Sequence, residues 1–312
     1  MTVLRLSAGR TVAWPAPAVA VGNFDGVHLG HQALVAAALD EARAAGGTPA
    51  VLTFDPHPAR VLQPGRAPGA LMTLEQKTEA LAALGIHHVA VLEFTAALAA
   101  RSASEFARGV LAGTLAARAV VVGADFRFGR GREGDVPALS ALGGELGFGV
   151  RVVPPVMRGS EPVSSTRVRD ALGAGEVEEA AALLGRDYAV DGEVVVGDRR
   201  GRTLGFPTAN LEPVNELLPA RGVYACRCRL PGGEERPAAV NIGRRPTFDG
   251  ERTTVEAHLI DFAGDLYGAR LRLSFVQRLR EEARFAGLEA LRAQIAADVA
   301  RARAVLRGPS RR

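Results

Sequence analysis

The stretch GNFDGVHLGH at positions 22–31 decides the fold of the first half of this chain. An apolar run, Val19–Phe24, leads into it, and a helical pattern over residues 30–45 follows it. Two glycines flank His28, and His31 opens the predicted helix. Free N–H groups and the dipole at a helix N-terminus attract phosphate, and glycine lets a backbone come close to it. The stretch therefore predicts a strand that turns directly into a helix and presents two imidazoles to an anion.

The same alternation of strand and helix continues to about residue 155. Four more β-like runs follow the first, at Ala50–Phe54, His88–Phe94, Arg118–Gly123 and Gly149–Val153. Helical patterns lie between the runs, near residues 30–45, 75–84, 103–112 and 136–146. The predicted N-cap of the third helix is Ser102 or Ser104. This order predicts a parallel sheet covered by helices on both faces, which binds ligands beyond the carboxyl ends of its strands.

Polar side chains follow three more of the predicted strands. His57 lies between two prolines after the second strand, and Asp125 lies in the turn after the fourth. After the fifth strand come three hydroxyls at the start of a predicted helix and then two guanidiniums, namely Ser164, Ser165, Thr166, Arg167 and Arg169. This group predicts a second anion site, suited to a polyphosphate, although the hydroxyls also fit an ordinary N-cap.

The pair His28 and His31 allows three interpretations. Imidazole can donate hydrogen bonds to the charge that develops on a transferring phosphoryl group. A metal site is disfavoured because the His-x-x-His spacing lacks the glutamate of the zinc-protease pattern. Two structural histidines are the third interpretation. With His57, three of the six histidines converge on one edge of the predicted sheet, which favours phosphate chemistry.

The pattern changes after about residue 187, where short β runs follow one another without helices between them. The runs are Ala189–Val196, Val223–Leu230, Ala238–Ile242, Thr253–Phe262 and Arg270–Val276. They predict a small antiparallel barrel or sandwich. Apolar residues at helical spacing over 284–307 predict a terminal helix that packs across it. With a junction helix at Ala171–Leu184, the expected domains are residues 1–186 and 187–312.

A glycine-rich segment at residues 197–211 is the candidate site of the second half. Gly197, Gly201 and Gly205 recur every four residues, without the lysine of a Walker loop. Thr208 and Asn210 lie two apart and offer hard oxygen ligands for Mg²⁺. A glycine-rich hairpin without such a role is the alternative. Glu256 lies in an apolar strand, either as a functional carboxylate or as a surface residue of an alternating strand.

Composition excludes several classes of protein. Hydrophobic residues make up 47% and charged residues 23%, as in globular proteins, and no apolar run approaches the length of a membrane span. No signal peptide is predicted, and the two cysteines do not form a secreted disulfide framework. A net charge of +4 is weak support for nucleic-acid binding. We therefore expect a cytoplasmic protein with small-molecule substrates, no nucleic acid or membrane partner, and at most weak homo-oligomerisation.

The motifs in both halves resemble one family. GNFDGVHLGHQ at 22–32, FDPHP at 54–58 and GADFRFG at 123–129 look like the nucleotidyltransferase superfamily, and more narrowly like the prokaryotic bifunctional riboflavin kinase/FMN adenylyltransferase. GFPTAN at 205–210 is similar to the riboflavin kinase motif of that family. The resemblance implies a Rossmann-like nucleotidyltransferase domain followed by a kinase barrel. It also implies that riboflavin is phosphorylated to FMN and FMN is adenylylated to FAD, with ATP and Mg²⁺ in both steps.

The resemblance also implies roles for individual residues. His28 and His31 would stabilise the α-phosphoryl transition state, and Glu256 would be the base for the riboflavin hydroxyl. ATP in the first half would be bound by Asn23, Phe24, Asp25, Gly30, Ser164, Ser165, Thr166 and Arg169, and FMN by His57 and Asp125. ATP in the second half would be bound by Gly197, Gly201, Arg202, Gly205, Phe206, Thr208 and Asn210, with Mg²⁺ on Thr208 and Asn210. The family often has Asn at the position of Asp125, and Lys where Ala283 and Arg284 stand.

Two other functions compete with this interpretation. A cytidylyl- or pantetheine-type transferase would share the first half, but it does not need a kinase barrel with Thr208, Asn210 and Glu256. A flavin-sensing or RNA-binding regulator without turnover would not need intact His28 and His31. A gel shift with structured RNA, compared with ATP consumption, distinguishes the regulator from an enzyme.

Overall fold

The computed structural model describes residues 1–6, 11–196, 205–247 and 250–308 of the 312-residue chain, without the side chains of residues 245–247 and 250–252. Contacts between residues divide the chain into two compact units. The N-terminal unit comprises Met1–Ala70 and Leu74–Ser164, and the C-terminal unit comprises Leu71–Thr73 and Ser165–Arg312. The predicted domain boundary near residue 186 lies two helices beyond this division, and it stays a prediction.

The N-terminal unit contains a six-stranded sheet in which every neighbouring pair of strands is parallel. Its strands are β1 (Thr2–Leu6), β2 (Ala18–Val21), β3 (Pro49–Asp55), β4 (His88–Glu93), β5 (Ala119–Gly123) and β6 (Gly149–Val153). Across the sheet they lie in the order β1-β4-β3-β2-β5-β6. The predicted parallel sheet is confirmed, and β2, which has a neighbour on each side, is buried along its whole length.

Strand β1 is absent from the predicted strands, and its position explains why. It lies at the edge of the sheet and pairs with β4. Three of its five residues are exposed, so it carries no continuous apolar run. A strand at an edge is buried less than a central strand, and hydropathy therefore signals it weakly.

Helices connect the strands of this unit. They are α1 (Leu29–Ala45), α2 (Pro58–Leu62), α3 (Leu74–Ala83), α4 (Ala96–Ala99), α5 (Ala103–Phe106) and α6 (Val136–Leu146). A π-helix at Ala107–Thr114 continues α5, so all four predicted helices are present. Ser102, and not Ser104, is the N-cap of α5, and it forms a capping box with Glu105. A short hairpin, β7 (Met157–Arg158) and β8 (Glu161–Pro162), ends the unit.

The C-terminal unit contains a closed barrel in which neighbouring strands are antiparallel. Its strands are β9 (Tyr188–Val195), β10 (Ala209–Pro213), β11 (Gly222–Arg229), β12 (Glu235–Thr247), β13 (Gly250–Leu259) and β14 (Arg270–Arg280), in the order β10-β13-β12-β11-β14-β9. The predicted barrel is confirmed. Strand β10 is absent from the predicted runs, because Leu211 is the one buried residue of this strand.

Alternate residues of β11 face opposite sides of the barrel wall. Tyr224 contacts Phe275 edge to face at 5.3 Å, and Cys226 and Cys228 follow it on the same face, both 0% exposed. Val223 and Ala225 face the other way and pack with the terminal helix. One face of β11 therefore contributes a large side chain, Tyr224, and two small ones, Cys226 and Cys228, to the barrel interior.

Three helices accompany the barrel. Helices α7 (Ser165–Ala174) and α8 (Val177–Leu184) precede it, and α9 (Leu288–Leu306) follows it. The predicted terminal helix is confirmed, but it begins at Leu288 and not at residue 284, and Leu288 itself is 71% exposed. Packing on the barrel involves its later turns, through Ala302 and Leu306. Among the helices of the described residues, none is long and apolar enough to cross a bilayer.

Candidate active sites

The turn between β2 and α1 has a strained backbone. Phe24 has φ +48° and Val27 has φ +43°, in the left-handed region that aromatic and β-branched residues rarely adopt. Both side chains are fully buried, and Asp25 between them is only 3% exposed. Backbone strain of this kind persists only where the surrounding packing enforces it, and it clusters at functional sites.

His28 is the N-cap of α1. Its Nδ1 accepts a hydrogen bond from the backbone N–H of His31 at 3.3 Å, and its side chain is buried. Because Nδ1 is an acceptor in this bond, the neutral ring carries its proton on Nε2. His28 therefore combines a helix-capping role with an Nε2–H group that can donate to an anion such as a phosphate oxygen.

The imidazoles of His28 and His31 lie face to face. Their centroids are 3.7 Å apart and their planes are inclined by 19°. A Cβ atom at Gly30 would lie 3.1 and 3.2 Å from the His28 ring atoms Cε1 and Nδ1, and 3.5 Å from the carbonyl oxygen of Val163. Glycine at position 30 therefore allows both the ring and the Val163–Ser164 segment to approach the start of the helix. The structure thus brings His28 and His31 together beside Val163, the residue before Ser164.

His57 lies beside Asn23, as expected for residues at the ends of adjacent strands. The Asn23 amide is 3.3 Å from His57 Nε2, and His57 Nδ1 accepts a hydrogen bond from the backbone N–H of Ala59 at 3.2 Å. Since Nδ1 is an acceptor, a neutral His57 carries its proton on Nε2. The Asn23 atom beside Nε2 is the amide nitrogen, and a half-turn of this amide would present its oxygen to that proton. Proline on each side and the cap of α2 hold this ring in place.

Lys77 on α3 is absent from the predicted site residues, although it contacts them. Its Nζ donates a hydrogen bond to the backbone carbonyl of Asn23 at 2.8 Å and lies 3.4 Å from Thr53 Oγ1. Burial lowers the pKa of Lys77, and the carboxylates of Asp25 and Asp55 partly offset this effect. Its spacing from Leu81, one turn away and fully buried, could have placed it on the core face of α3.

The remaining predicted residues of the first site divide between the two units. Asp125 is exposed in the turn that follows β5 in the N-terminal unit. Ser165 is the first residue of α7, and Thr166 and Arg169 belong to the same helix, which lies in the C-terminal unit. The N-terminus of a helix is suited to bind phosphate. That Ser165, Thr166 and Arg169 form one site with His28 stays a prediction.

In the barrel, Asn210 on β10 lies directly opposite Glu256 on β13. On the other side of β13, Glu256 lies opposite Asn241 of β12. Val255 and Ala257, which alternate with Glu256, are buried, so the three polar side chains form a row on the outer face of the wall. Asn241 is a further candidate, to which the sequence alone assigns no role.

The segment that leads into β10 is tied to β13. His258 Nδ1 lies 2.8 Å from the backbone carbonyl of Pro207, which can only accept, so Nδ1 carries a proton. The Phe206 ring contacts the His258 ring edge to face at 5.5 Å. Gly205 has φ +85°, a conformation that glycine adopts without strain. Thr208 follows this anchored segment and lies two residues before Asn210 in the chain. The candidates Gly197, Gly201 and Arg202 lie outside the described residues.

An ion pair joins strand β14 of the barrel to helix α9. Arg280 donates three hydrogen bonds of 2.8 to 3.1 Å to the carboxylate of Asp298 on α9. Asp298 is 3% exposed, and Gln294 donates a fourth bond to it at 2.9 Å. The Arg280 guanidinium also lies 5.6 Å from the centroid of the Phe285 ring. These contacts link the end of β14 to α9 and to Phe285, which lies in the segment between them.

Comparison with known proteins assigns both parts of the chain to families. The family model described as FAD synthetase matches residues 12–167, and the one described as riboflavin kinase matches residues 184–306. A solved structure described as a macrolide-efflux protein from Streptococcus pneumoniae has the same fold, with a TM-score of 0.90 and 31% identity over 97% of this chain and 99% of that one. Neither of the two family models that match this chain describes an efflux protein.

Curated relatives agree with the family models. The bifunctional riboflavin kinase/FMN adenylyltransferase of Escherichia coli strain K12 is 41% identical over 91% of this chain and 90% of the relative. The proteins of the same name from Pseudomonas fluorescens and Bacillus subtilis strain 168 are 42% and 37% identical, over 91% and 90% of this chain and 91% and 89% of their own lengths. With two matched families in this order, a parallel sheet followed by a barrel, the chain belongs to the bifunctional riboflavin kinase/FMN adenylyltransferase family.

Proposed function

We propose that this chain converts riboflavin to FMN and FMN to FAD, with one activity in each of the domains expected from the sequence. The phosphorylation consumes ATP and belongs to residues 187–312. The adenylylation transfers AMP from a second ATP to the FMN phosphate, releases pyrophosphate and belongs to residues 1–186. The observation that carries the proposal is the match of one family model to each half, in agreement with relatives that cover nine-tenths of the chain.

Adenylyl transfer needs no nucleophile from the protein. An oxygen of the FMN phosphate attacks the α-phosphorus of ATP, and the bond from this phosphorus to the bridging oxygen of pyrophosphate breaks. The fixed Nε2–H group of His28, with His31 beside it, would donate hydrogen bonds to the charge that develops on the α-phosphoryl oxygens. The FMN phosphate would lie near His57 and Asp125. The ATP would be held by Asn23, Phe24, Asp25, Gly30, Ser164, Ser165, Thr166 and Arg169.

Riboflavin phosphorylation requires a base and a site for the ATP phosphates. Glu256 would take the proton from the ribityl 5′-hydroxyl as its oxygen attacks the γ-phosphorus of ATP, which releases ADP. The opposite residue Asn210 and the neighbouring Thr208 offer the neutral oxygen donors that suit Mg²⁺ together with phosphate. Bound Mg²⁺ would screen the charge of the phosphates. Gly197, Gly201, Arg202, Gly205 and Phe206 would complete the ATP site.

The donor set for Mg²⁺ fits a shared site between protein and nucleotide. Within the described part of the chain, no three His, Cys, Asp or Glu side chains form a group that could hold a metal ion. Mg²⁺ commonly uses one or two protein oxygens, several waters and the phosphates of the substrate. The row of Asn210 and Glu256 is consistent with this mode of binding.

A single assay tests the proposed function. The protein is incubated with riboflavin, ATP and Mg²⁺, and the flavins are separated by chromatography. We expect FMN to form first and FAD to follow. If FMN forms without FAD, only the kinase activity is supported. If neither FMN nor FAD forms, the proposal is refuted. Cytoplasmic location, weak homo-oligomerisation and the lack of a nucleic-acid partner stay predictions from composition and cysteine content.

A further inference from the structure

Lys77 is the single lysine among the 38 basic residues of the chain, and it is buried. Only 8% of its surface is exposed, although lysine is rarely buried in proteins without compensating partners. A contribution to solubility therefore does not explain its presence. Its position on α3, under the turn between β2 and α1, relates it to the adenylylation site.

One carbonyl group receives two hydrogen bonds in this region. Lys77 Nζ donates to the carbonyl oxygen of Asn23 at 2.8 Å, and Thr53 Oγ1 donates to the same oxygen at 3.0 Å. The carboxylates of Asp25 and Asp55 interact electrostatically with the Lys77 ammonium. The Lys77 ammonium and the Thr53 hydroxyl thus both bind the Asn23 carbonyl. The nearby carboxylates offset the positive charge of the ammonium.

This anchor determines how the turn leaves the sheet. A trans peptide directs its C=O and N–H groups in opposite directions, so a carbonyl of Asn23 that faces Lys77 turns the N–H of Phe24 away from it. The following residue, Phe24, then adopts its left-handed conformation at φ +48°. The side chain of Asn23 meanwhile reaches His57 at 3.3 Å. The orientation of the peptide between Asn23 and Phe24 therefore affects both the conformation of Phe24 and the contact of Asn23 with His57.

We propose that Lys77 is a positioning residue for adenylyl transfer, because its ammonium holds the Asn23 carbonyl and so keeps the turn at residues 22–28 in the geometry that the transfer step requires. Lys77 does not touch the reacting atoms. This inference rests on the proposed adenylyltransferase activity and adds a residue to it.

The substitution Lys77→Met tests the proposal, since it keeps the length of the side chain and removes the donor. We expect kcat for FAD formation from FMN to fall about 100-fold, as for a misplacement of about 1 Å in an active site, while KM for ATP and FMN changes less than about threefold. Riboflavin phosphorylation by the same sample should be unchanged and reports that the protein is intact. The matched control is Thr78→Val, which removes a buried hydroxyl bonded within α3 to the carbonyl of Glu75. It should leave kcat unchanged.

A second measurement separates the charge from packing and does not depend on the folding of the Met variant. Because Lys77 is the only lysine, cell-free translation with thialysine in place of lysine changes this residue alone. Thialysine has the same shape, but its sulfur lowers the pKa of the amine. We expect full kcat at neutral pH and a loss of kcat on the alkaline side that begins at lower pH than in the lysine protein.

The outcomes are distinct. If Lys77→Met keeps kcat within threefold of the wild type, or if thialysine leaves the pH profile of kcat unmoved, the ammonium does not position the turn. If the wild-type protein makes no FAD, the proposed function itself fails. A wild type that makes FAD while the variants behave as controls refutes the inference alone.

Discussion

The imidazole rings of His28 and His31 stack with their centroids 3.7 Å apart, and His28 is at the same time the cap of the helix that carries His31. Neither ring can turn without loss of the cap or of the stacking contact. Donors that are fixed before the reaction cost no reorganisation when charge develops, and such preorganisation commonly contributes more to catalysis than any other single effect. The two histidines are therefore suited to a step in which negative charge grows on a phosphoryl group.

Replacement of His28 should separate its two roles. His28→Ala should lower kcat for FAD formation by about 10²–10³-fold and destabilise the N-terminal unit by about 1 kcal/mol through the lost cap. His28→Asn should restore the cap, because asparagine is a favoured N-cap residue, but not the activity. Chromatography of the flavins and thermal unfolding measure the two effects. Full FAD synthesis by either variant would contradict the assigned role.

A side chain at position 30 should disturb the His28 ring. In Gly30→Ala the new Cβ would lie 3.1 Å from Cε1 of this ring, closer than ordinary contacts allow. We expect kcat for FAD formation to fall about 10-fold, since small misplacements near a reacting phosphoryl group are costly. Gly144→Ala is the matched control, because a Cβ atom at this position of α6 meets nothing within 4 Å. Equal kcat values for the two variants would refute the expectation.

Glu256 should be required in one reaction only. Glu256→Gln keeps the size of the side chain and removes the base, so we expect FMN formation from riboflavin to fall about 10²–10⁴-fold. FAD formation from added FMN should not change. Glu212→Gln, an exposed carboxylate on β10, is the control for loss of a negative charge near this site. If the two glutamine variants phosphorylate riboflavin equally well, Glu256 is not the base.

Removal of divalent cations should stop both reactions. We expect EDTA to abolish FMN and FAD formation, and excess Mg²⁺ to restore them, because the phosphates of ATP need charge neutralisation in both steps. Asn210→Ala should raise the Mg²⁺ concentration that gives half-maximal riboflavin phosphorylation, without an effect on FAD formation from FMN. Titration of each activity with Mg²⁺ is the measurement. An unchanged requirement in the kinase reaction would exclude Asn210 as a ligand.

The barrel should lose stability in alkaline solution. Burial raises the pKa of Cys228 from 9.0 to about 12, raises that of Tyr224 from 10.0 to about 12, and raises that of Cys226 well above its ordinary value. The unfolded chain releases these protons at lower pH than the folded barrel, so the free energy of unfolding decreases as pH rises from about 9 towards 12. For Cys228 alone the loss at pH 10 is about 1.4 kcal/mol, which corresponds to one pKa unit.

Urea unfolding of the protein between pH 8 and pH 10.5, within this window, measures that decrease. Cys228→Ala leaves a cavity and lowers stability at every pH, so the informative quantity is the slope with pH. We expect a shallower slope in the variant. An identical slope would show that Cys228 does not contribute to the alkaline transition.

Local patterns were sufficient for most of the parallel sheet and for the first candidate site. Strand β2 is flanked on both sides and reads as a continuous apolar run, and the residues of its following turn are adjacent in sequence. The His28 cap joins residues three positions apart, so its spacing is visible in the chain itself. The edge strand β1 and the strand β10, with one buried residue, lack such a signal.

The amino-acid sequence by itself determined the family motifs, the order of an α/β part and a β-barrel, and the histidines and carboxylates that are candidates for chemistry. Tertiary structure alone decided which distant residues meet. Lys77 reaches Asn23 across 54 positions, and Asn210 faces Glu256 through the register of β10 and β13. Neither relation follows from periodicity, because a period reports only which face of an element is buried. The partner that an element meets depends on how strands pair and helices pack, and those contacts form between segments far apart in the chain.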